Sequence, residues 1–347
     1  MLYAGVAWNS TGYEVVVTDG DGRDAVAPAR FGPDGRDEII ACLRRLAERP
    51  GQDLATVVES TNGLLDGGMM VAGLEVYRAD PWQLPERPLF GSVPARVLAD
   101  AARNDLSALA RLQIDGGTLT GRDDDLEVGI FRSAPAEVDP RRAGRWLSRG
   151  GLSRAEVTLT FDDGPHPPYT GQILDILERY GVPATFFCVG LNVSARTDEV
   201  IRMRENGHVV GNHTWSHPFL LDLSRAQLVE QIERTDEAVT DAGGTPSRLF
   251  RPPYGARTPE AVGWLTEQGV TTVLWDVEPL DWALPGADVI VRETLERTRP
   301  GSIVLLHDGG GDRSQTVAAL PAMIEGLLER GYRFVQVDDL LVAPAEE

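Results

Sequence analysis

In the second half of the chain, short apolar runs alternate with longer segments whose apolar residues recur at helical spacing. Val157-Thr158-Leu159-Thr160-Phe161 is rich in β-branched and aromatic residues, the mark of a buried strand. Comparable runs fall near residues 184–189, 208–211, 248–251, 271–276, 302–306 and 333–337. Between them, Ile173 to Tyr180 reads as a helix that stops at Gly181. Ser224 to Ala242 reads as another, opening on a serine cap and stopping at Gly243. Strands alternating with helices pair in parallel through crossover connections. The pattern therefore predicts an α/β fold, a distorted (β/α)7 barrel. Its loops after the strands form the face on which barrel sites are built.

The first part of the chain reads differently. Tyr13 to Thr18 is a strand entering a tight turn at Asp19-Gly20-Asp21-Gly22. A helix is expected from about Asp37 to Glu48, strands at Ala55–Glu59 and Leu74–Ala79, and a helix from about Pro94 to Leu112. Residues 1–133 are thus expected to form a smaller α/β domain with its own core. Residues 134–154, with Ala-Pro and Asp-Pro pairs, Arg141, Arg142, Arg145, Arg149 and Gly150-Gly151, read as a linker, and the barrel domain is expected over 155–345.

Polar residues of a particular kind gather where the barrel strands end. Asp162-Asp163-Gly164-Pro165 has the letters of a turn, but it follows the first strand, which puts both carboxylates at that strand's C-terminal end. His213 and His217 follow the short run His208 to Asn212, and their i, i+4 spacing lets both face one ion from a single helical turn. The chain has five histidines, and His213, His217 and His307 all lie in such segments. One carboxylate and two imidazoles leave a coordination position open for water, as in catalytic zinc sites. A divalent ion brings the pKa of bound water toward about 7 and polarises a carbonyl. Asp162, beside the metal without binding it, can take the water's proton, and His307 can protonate a departing amine. Arg251, in Arg251-Pro252-Pro253-Tyr254-Gly255, can hold a carboxylate ionised. An aspartate within Asp276 to Trp282 can orient His307 and favour its protonated form.

In this order and spacing, the five segments resemble the polysaccharide deacetylase family, also called the NodB-homology or carbohydrate esterase family 4 fold. The resemblance covers about residues 155 to 340. It implies Asp162 as the base, Asp163, His213 and His217 as ligands of Zn²⁺ or another divalent transition metal, and Arg251 as the residue orienting the base. It further implies that the backbone at Tyr254 helps bind the oxyanion, that Asp281-Trp282 matches the family's tryptophan segment, and that His307 is the acid. The N-terminal part resembles a degenerate ribonuclease H-like domain of RuvC-type transposases, at Gly5-Val6, Val57 to Thr61, Asp80-Pro81 and the helix bearing Asp100. That nuclease chemistry needs several carboxylates around paired metals. Ala7-Trp8 stands where an aspartate is expected, so the likeness implies a non-catalytic unit, with Glu59 and Asp80 as polar residues at strand ends.

Composition narrows the field further. The 347 residues carry a net charge of −20, which disfavours phosphate contacts, so no nucleic acid partner is expected. Lysine is absent, which excludes Schiff-base and P-loop chemistry. Gly309-Gly310-Gly311 is then expected to be a flexible rim loop and no phosphate cradle. Cys42 and Cys188 fall in different predicted domains, and no disulfide is expected between them. The first residues lack the pattern of a secretory signal and no long apolar run marks a membrane span. A cytoplasmic enzyme without membrane contact is the expectation. The leading reading is a metal-dependent hydrolase that removes an N-acetyl group from an amino sugar or a related N-acetylated small molecule, possible as a homodimer through the N-terminal domain. Hydrolysis of another non-peptide C–N bond, and a non-catalytic binding protein with a degenerate ribonuclease H-like module, are the alternatives.

Overall fold

The computed structural model describes residues 1–61, 63–115, 118–120 and 146–341. By its internal contacts the chain forms two compact units, Met1–Ala136 with Trp215–Gln231, and Glu137–Thr214 with Ile232–Glu347. A segment of the barrel half of the sequence therefore belongs to the N-terminal unit, which the linear division at residues 133 and 155 did not anticipate.

The N-terminal unit is built on a mixed sheet of β1 (Leu2–Asn9), β2 (Gly12–Thr18), β3 (Ala29–Phe31), β4 (Leu54–Glu59), β5 (Glu75–Ala79) and β6 (Ala110–Arg111), in the order β3-β2-β1-β4-β5-β6. β1 pairs antiparallel with β2 and parallel with β4, and β4 pairs parallel with β5. Ala95, Leu98, Ala99 and Ala102 form the buried stripe of the helix Ala95–Asp105. This helix approaches β1 so closely that a Cβ on Gly5 would overlap the Ala95 carbonyl. The helix ends at Asp105, short of Leu112, because the Asp105 carboxylate accepts from Ser107 N at 3.1 Å and caps a separate 3-10 turn, Leu106–Ala108. A short antiparallel hairpin follows, β7 (Gln113–Asp115) with β8 (Thr118–Thr120).

The second unit holds β9 (Trp146–Leu147), β10 (Glu156–Asp162), β11 (Thr185–Cys188), β12 (Val209–Asn212), β13 (Leu249–Phe250), β14 (Thr271–Val273), β15 (Ser302–His307) and β16 (Arg333–Phe334). They form a curled parallel sheet in the order β15-β10-β11-β12-β13-β14-β9, with β16 on β10. Most of the expected linker, 134–145, lies outside the described residues, but Trp146–Leu147 is a strand, pairing in parallel with β14. A two-residue strand carries too short a pattern to be seen in sequence. Every residue of β10 is buried, as expected of a parallel strand covered on both faces. Phe187, Leu249, Val273, Ile303 and Val337 pack together as one buried cluster of this unit, each contributing about 1.5–3 kcal/mol by burial.

Helix signals in the sequence match the structure. Tyr169–Tyr180 ends where Gly181 turns left-handed at φ 63°. Arg225–Asp241 starts from a reciprocal cap in which Ser224 N donates to Gln227 Oε1 at 3.0 Å and Gln227 N donates to Ser224 Oγ at 3.4 Å. Among the described residues, no helix is long and apolar enough to cross a membrane.

Candidate active site

β10 carries Asp162 at its end, and parallel pairing sets Asp162 level with His307 on β15 and with Phe187 on β11. The chain then turns left-handed at Asp163, φ 74°. Several bonds hold this turn. Asn192 Nδ2 donates to the Asp163 carbonyl at 2.5 Å, Gly164 N to Asp308 Oδ1 at 3.0 Å, and Asp308 N to the Asp162 carbonyl at 3.0 Å. Thr170 Oγ1 donates to the other Asp308 oxygen at 2.6 Å. A Cβ on Gly164 would overlap the Asp308 carboxylate, and one on Gly309 or Gly310 would overlap Asp163. Gly309 and Gly310 are thus packed against the aspartate turn and form no open rim: Asp163 lies too close to both for a side chain.

β12 delivers His213. Its Nδ1 lies 2.7 Å from the Arg251 carbonyl, an acceptor only, so Nδ1 carries the proton and Nε2 presents its lone pair. That Nε2 is 3.5 Å from Asp163 Oδ1 and 3.7 Å from Asp162 Oδ2. The stretch to His217 is not the helical turn its spacing suggested. Thr214 and His217 have φ 68° and 60°, Asn212 Oδ1 accepts from Thr214 N at 2.9 Å, and Gln231 Oε1 accepts from Trp215 N and Ser216 N at 2.8 and 3.0 Å. Side-chain acceptors replace the helix's own carbonyls and wind the loop back on itself. One ligand atom each from Asp163, His213 and His217 lies within 4.8 Å of the others, all three residues being buried. A carboxylate oxygen and two imidazole nitrogens, with one tautomer fixed by a backbone carbonyl, fit a divalent transition ion with open positions. Among the described residues this is the one such cluster. Glu59 and Asp80 belong to none. Glu59 is fully buried and accepts from Thr61 Oγ1 and Val93 N, and Asp80 N donates to Gln83 Oε1.

Arg251 follows β13 and is wholly buried. Nη1 donates to Asp162 Oδ1 at 2.7 Å and to Thr160 Oγ1 at 2.8 Å, while Nε and Nη2 reach the Val273 and Leu274 carbonyls at 3.3 and 3.2 Å. The guanidinium lies 4.2 Å from the Phe187 ring centre and 5.5 Å from that of Trp275. Burial lowers its pKa, opposed by the Asp162 charge. Tyr254 sits in the 3-10 turn Pro253–Gly255 with φ 59°.

On the other side, His307 Nδ1 contacts Asp281 Oδ1 at 2.7 Å, and the second Asp281 oxygen accepts from His307 N at 2.9 Å and from Thr316 Oγ1 at 2.7 Å. Burial works to lower the imidazole's pKa, but the charge and hydrogen bond of Asp281 and the nearby Asp163 outweigh it and lift it to about 9. Asp281, despite burial, is held below the usual range by the His307 charge. Asp276, the other aspartate of that segment, bonds Ser302 Oγ and Ile303 N instead. Glu278 accepts from both indoles, Trp275 at 3.1 Å and Trp282 at 3.3 Å.

The structure thus brings together Asp162, Asp163, His213, His217, Arg251, Asp281 and His307. Sequence reading missed the supporting residues Thr160, Asn192, Asn212, Gln231 and Asp308. Asp308 adjoins His307, and burial lifts its pKa to about 7 with Asp162 and Asp163 adding to the rise, though its two hydrogen bonds oppose it. No local signal marks Asn192 or Gln231, whose partners are far away in sequence.

Residues 149–273 match the polysaccharide deacetylase family. Over 187 residues the chain is 42% identical to a peptidoglycan-N-acetylglucosamine deacetylase of Bacillus cereus, an alignment spanning 53% of this chain and 87% of that protein. A chitooligosaccharide deacetylase of Sinorhizobium fredii is 40% identical over 199 residues, 54% of this chain and 93% of the relative. The crystal structure of a peptidoglycan N-acetylglucosamine deacetylase in complex with 4-naphthalen-1-yl-N-oxidanyl-benzamide superposes with a TM-score of 0.55 at 38% identity, covering 56% of this chain and 92% of that one. At that identity and coverage, the chain belongs to the polysaccharide deacetylase family and is an N-deacetylase acting on amide bonds.

Proposed function

We propose that this protein is a divalent-metal-dependent hydrolase that removes the N-acetyl group from an N-acetylglucosamine-type amino sugar, in an oligosaccharide or a smaller precursor. The observation that carries the proposal is the Asp163–His213–His217 cluster flanked by two candidate proton carriers, Asp162 paired with Arg251 and His307 paired with Asp281. The relatives' named substrates, peptidoglycan and chitooligosaccharide, support the sugar assignment. Asp163, His213 and His217 would hold the ion, with Zn²⁺ favoured by the two imidazoles. Bound there, a divalent ion supplies a nucleophile at neutral pH and polarises the amide carbonyl.

The chain's own residues do the proton work. Asp162, held by Arg251, accepts the proton of the attacking water. His307, held cationic by Asp281 up to about pH 9, donates to the departing amine nitrogen. The loop at Tyr254 offers a backbone amide to the developing oxyanion. The buried Arg251 fork keeps Asp162 in one orientation and excludes water from its far side.

Purified full-length protein, analysed for metal and incubated with N-acetylglucosamine oligomers, should release acetate in proportion to its metal content. Asp163→Ala, His213→Ala and His217→Ala should each lose both. A folded wild-type protein that takes up no divalent ion, or takes it up equally in the His213→Ala/His217→Ala double variant, sinks the proposal.

A further inference from the structure

Thr214, next to His213, is a β-branched residue with left-handed backbone, φ 68°, a conformation that persists only where its surroundings impose it. The Asn212 side chain is one of those constraints. Its Oδ1 accepts from Thr214 N at 2.9 Å, while its Nδ2 donates to the Ile232 carbonyl at 2.9 Å and to Asp236 Oδ1 at 2.8 Å. Ile232 and Asp236 lie one turn apart on the helix Arg225–Asp241, so one face of that helix meets the end of β12. Asn212, His213, Thr214, Ile232 and Asp236 all belong to the second unit. The backbone around them is pinned as well: His213 N donates to the Cys188 carbonyl and Gly190 N to the Thr214 carbonyl, both at 3.0 Å.

We propose that Asp236 is a positioning residue for His213, acting by fixing which way the Asn212 amide points. The proposal deepens the metal-site reading given above, in which His213 is a ligand. An amide presents an acceptor at one end and two donors at the other. Reversed, the Asn212 NH2 would face the Thr214 N–H, and its oxygen would face the Ile232 carbonyl and the Asp236 carboxylate. The carboxylate is the strongest of these selectors, because a hydrogen bond to a charged acceptor is about twice as strong as a neutral one. It keeps Oδ1 aimed at Thr214 N, and that bond holds the turn that follows His213. With the turn held, the imidazole stays against the Arg251 carbonyl, 2.7 Å from Nδ1, and Nε2 keeps its lone pair for an ion. Groups outside the ligand shell that orient a ligand are general determinants of metal affinity.

The test uses the full chain and two readouts. In metal-free protein the imidazole Nδ1–H resonance of His213, assigned through His213→Gln, reports the ring's bond to Arg251. Chelator competition gives the Co²⁺ dissociation constant. Asp236 is half-buried, and Asp236→Leu removes the acceptor and shuts out a replacing water. It is expected to shift the His213 resonance, speed its exchange with solvent and weaken Co²⁺ binding by about 10–100-fold, the span typical of outer-shell losses. Asp236→Asn, which keeps an acceptor oxygen and drops the charge, should restore both readouts. Glu237→Leu removes the same charge from an exposed neighbour paired with Arg234 and should leave both unchanged. If Asp236→Leu fails to fold, Asp236→Ala decides. A wild-type resonance and affinity in the folded Asp236 variant overturn the proposal, as does an equal loss in Asp236→Asn or in Glu237→Leu. Absence of cobalt binding by the wild type overturns the metal-site reading instead, and the His213 resonance alone then decides the role of Asp236.

Discussion

Arg251 serves Asp162 and His213 at once: its Nη1 donates to Asp162 Oδ1 at 2.7 Å while its carbonyl oxygen sits 2.7 Å from His213 Nδ1. One residue at the end of β13 thus fixes the carboxylate beside the Asp163–His213–His217 cluster and the tautomer of a histidine within it. The two functions separate chemically, because only the first depends on the side chain. Neither partner of the ion pair is open to water, the side chains being 0% and 5% exposed.

Arg251→Met therefore leaves Asp162 as a buried charge without its counter-ion. Breaking such a pair costs about 3–5 kcal/mol, measured as a shift in the urea unfolding midpoint at constant slope. Arg251→Lys should recover only part of this, since an ammonium cannot reach Asp162, Thr160 and the Val273 and Leu274 carbonyls together. An Arg251→Met protein as stable and active as the wild type would falsify the idea that this pair holds the base.

Asp162 and Asp163 are neighbours in sequence with different expected consequences. Asp162→Asn keeps the volume and a hydrogen-bonding oxygen for Arg251, so metal content should stay stoichiometric while kcat falls about 10²–10⁴-fold. Asp163→Asn should lower metal content itself. Parallel metal analysis and steady-state kinetics of the two variants check this, and equal metal loss in both contradicts the division of roles.

The strand-end placement of the site was legible because period and letters agreed: Val157 to Phe161 reads as a buried strand, and the aspartates follow it directly. The histidine pair was legible in identity and not in shape. Spacing of four suggested a helical turn, whereas Asn212 and Gln231 capture the backbone amides and fold the segment as a loop. Gln231 lies 15 residues beyond Ser216, and no local pattern announces such a bond. Assignment of Trp215–Gln231 to the N-terminal unit was hidden for the same reason, since it depends on partners such as Phe90 and Ser60. The glycine run 309–311 was misread because glycine signals flexibility and close approach with the same letter; only the neighbouring Asp163 backbone decides between them.

That close approach yields a prediction. Gly309→Ala places a methyl group onto the Asp163 carbonyl and must push the aspartate turn or the β15 end apart. The expected outcome is weaker metal binding together with a loss of stability of about 1–3 kcal/mol, the usual range for overpacking. Gly171→Ala, in the helix Tyr169–Tyr180 with no atom near its added Cβ, is the matched control and should be neutral or slightly stabilising. Isothermal titration with Zn²⁺ and thermal melts compare the two directly.

The His307–Asp281 pair yields a prediction for the alkaline behaviour. The folded pKa of His307 is raised from 6.5 to about 9, so its contribution to stability is complete below about pH 6.5 and is lost as pH rises through about 9. Asp281 is lowered below 3.8, so its share is complete above about pH 4 and is lost as pH falls through that depressed value. Catalysis by a His307 acid should follow the same protonation, with kcat falling on the basic side near pH 9. In Asp281→Asn the charge that opposes burial is gone, and burial then pulls the imidazole pKa down. The basic limb of kcat should move to lower pH by more than one unit, so that activity relative to wild type is far worse at pH 8 than at pH 6. His307→Gln should abolish the limb altogether and leave a low, pH-independent rate there. A basic limb at unchanged pH in Asp281→Asn separates His307 from the proton donation, and the acid must then be sought at another residue, with Asp308, at a pKa of about 7, the first to replace by asparagine.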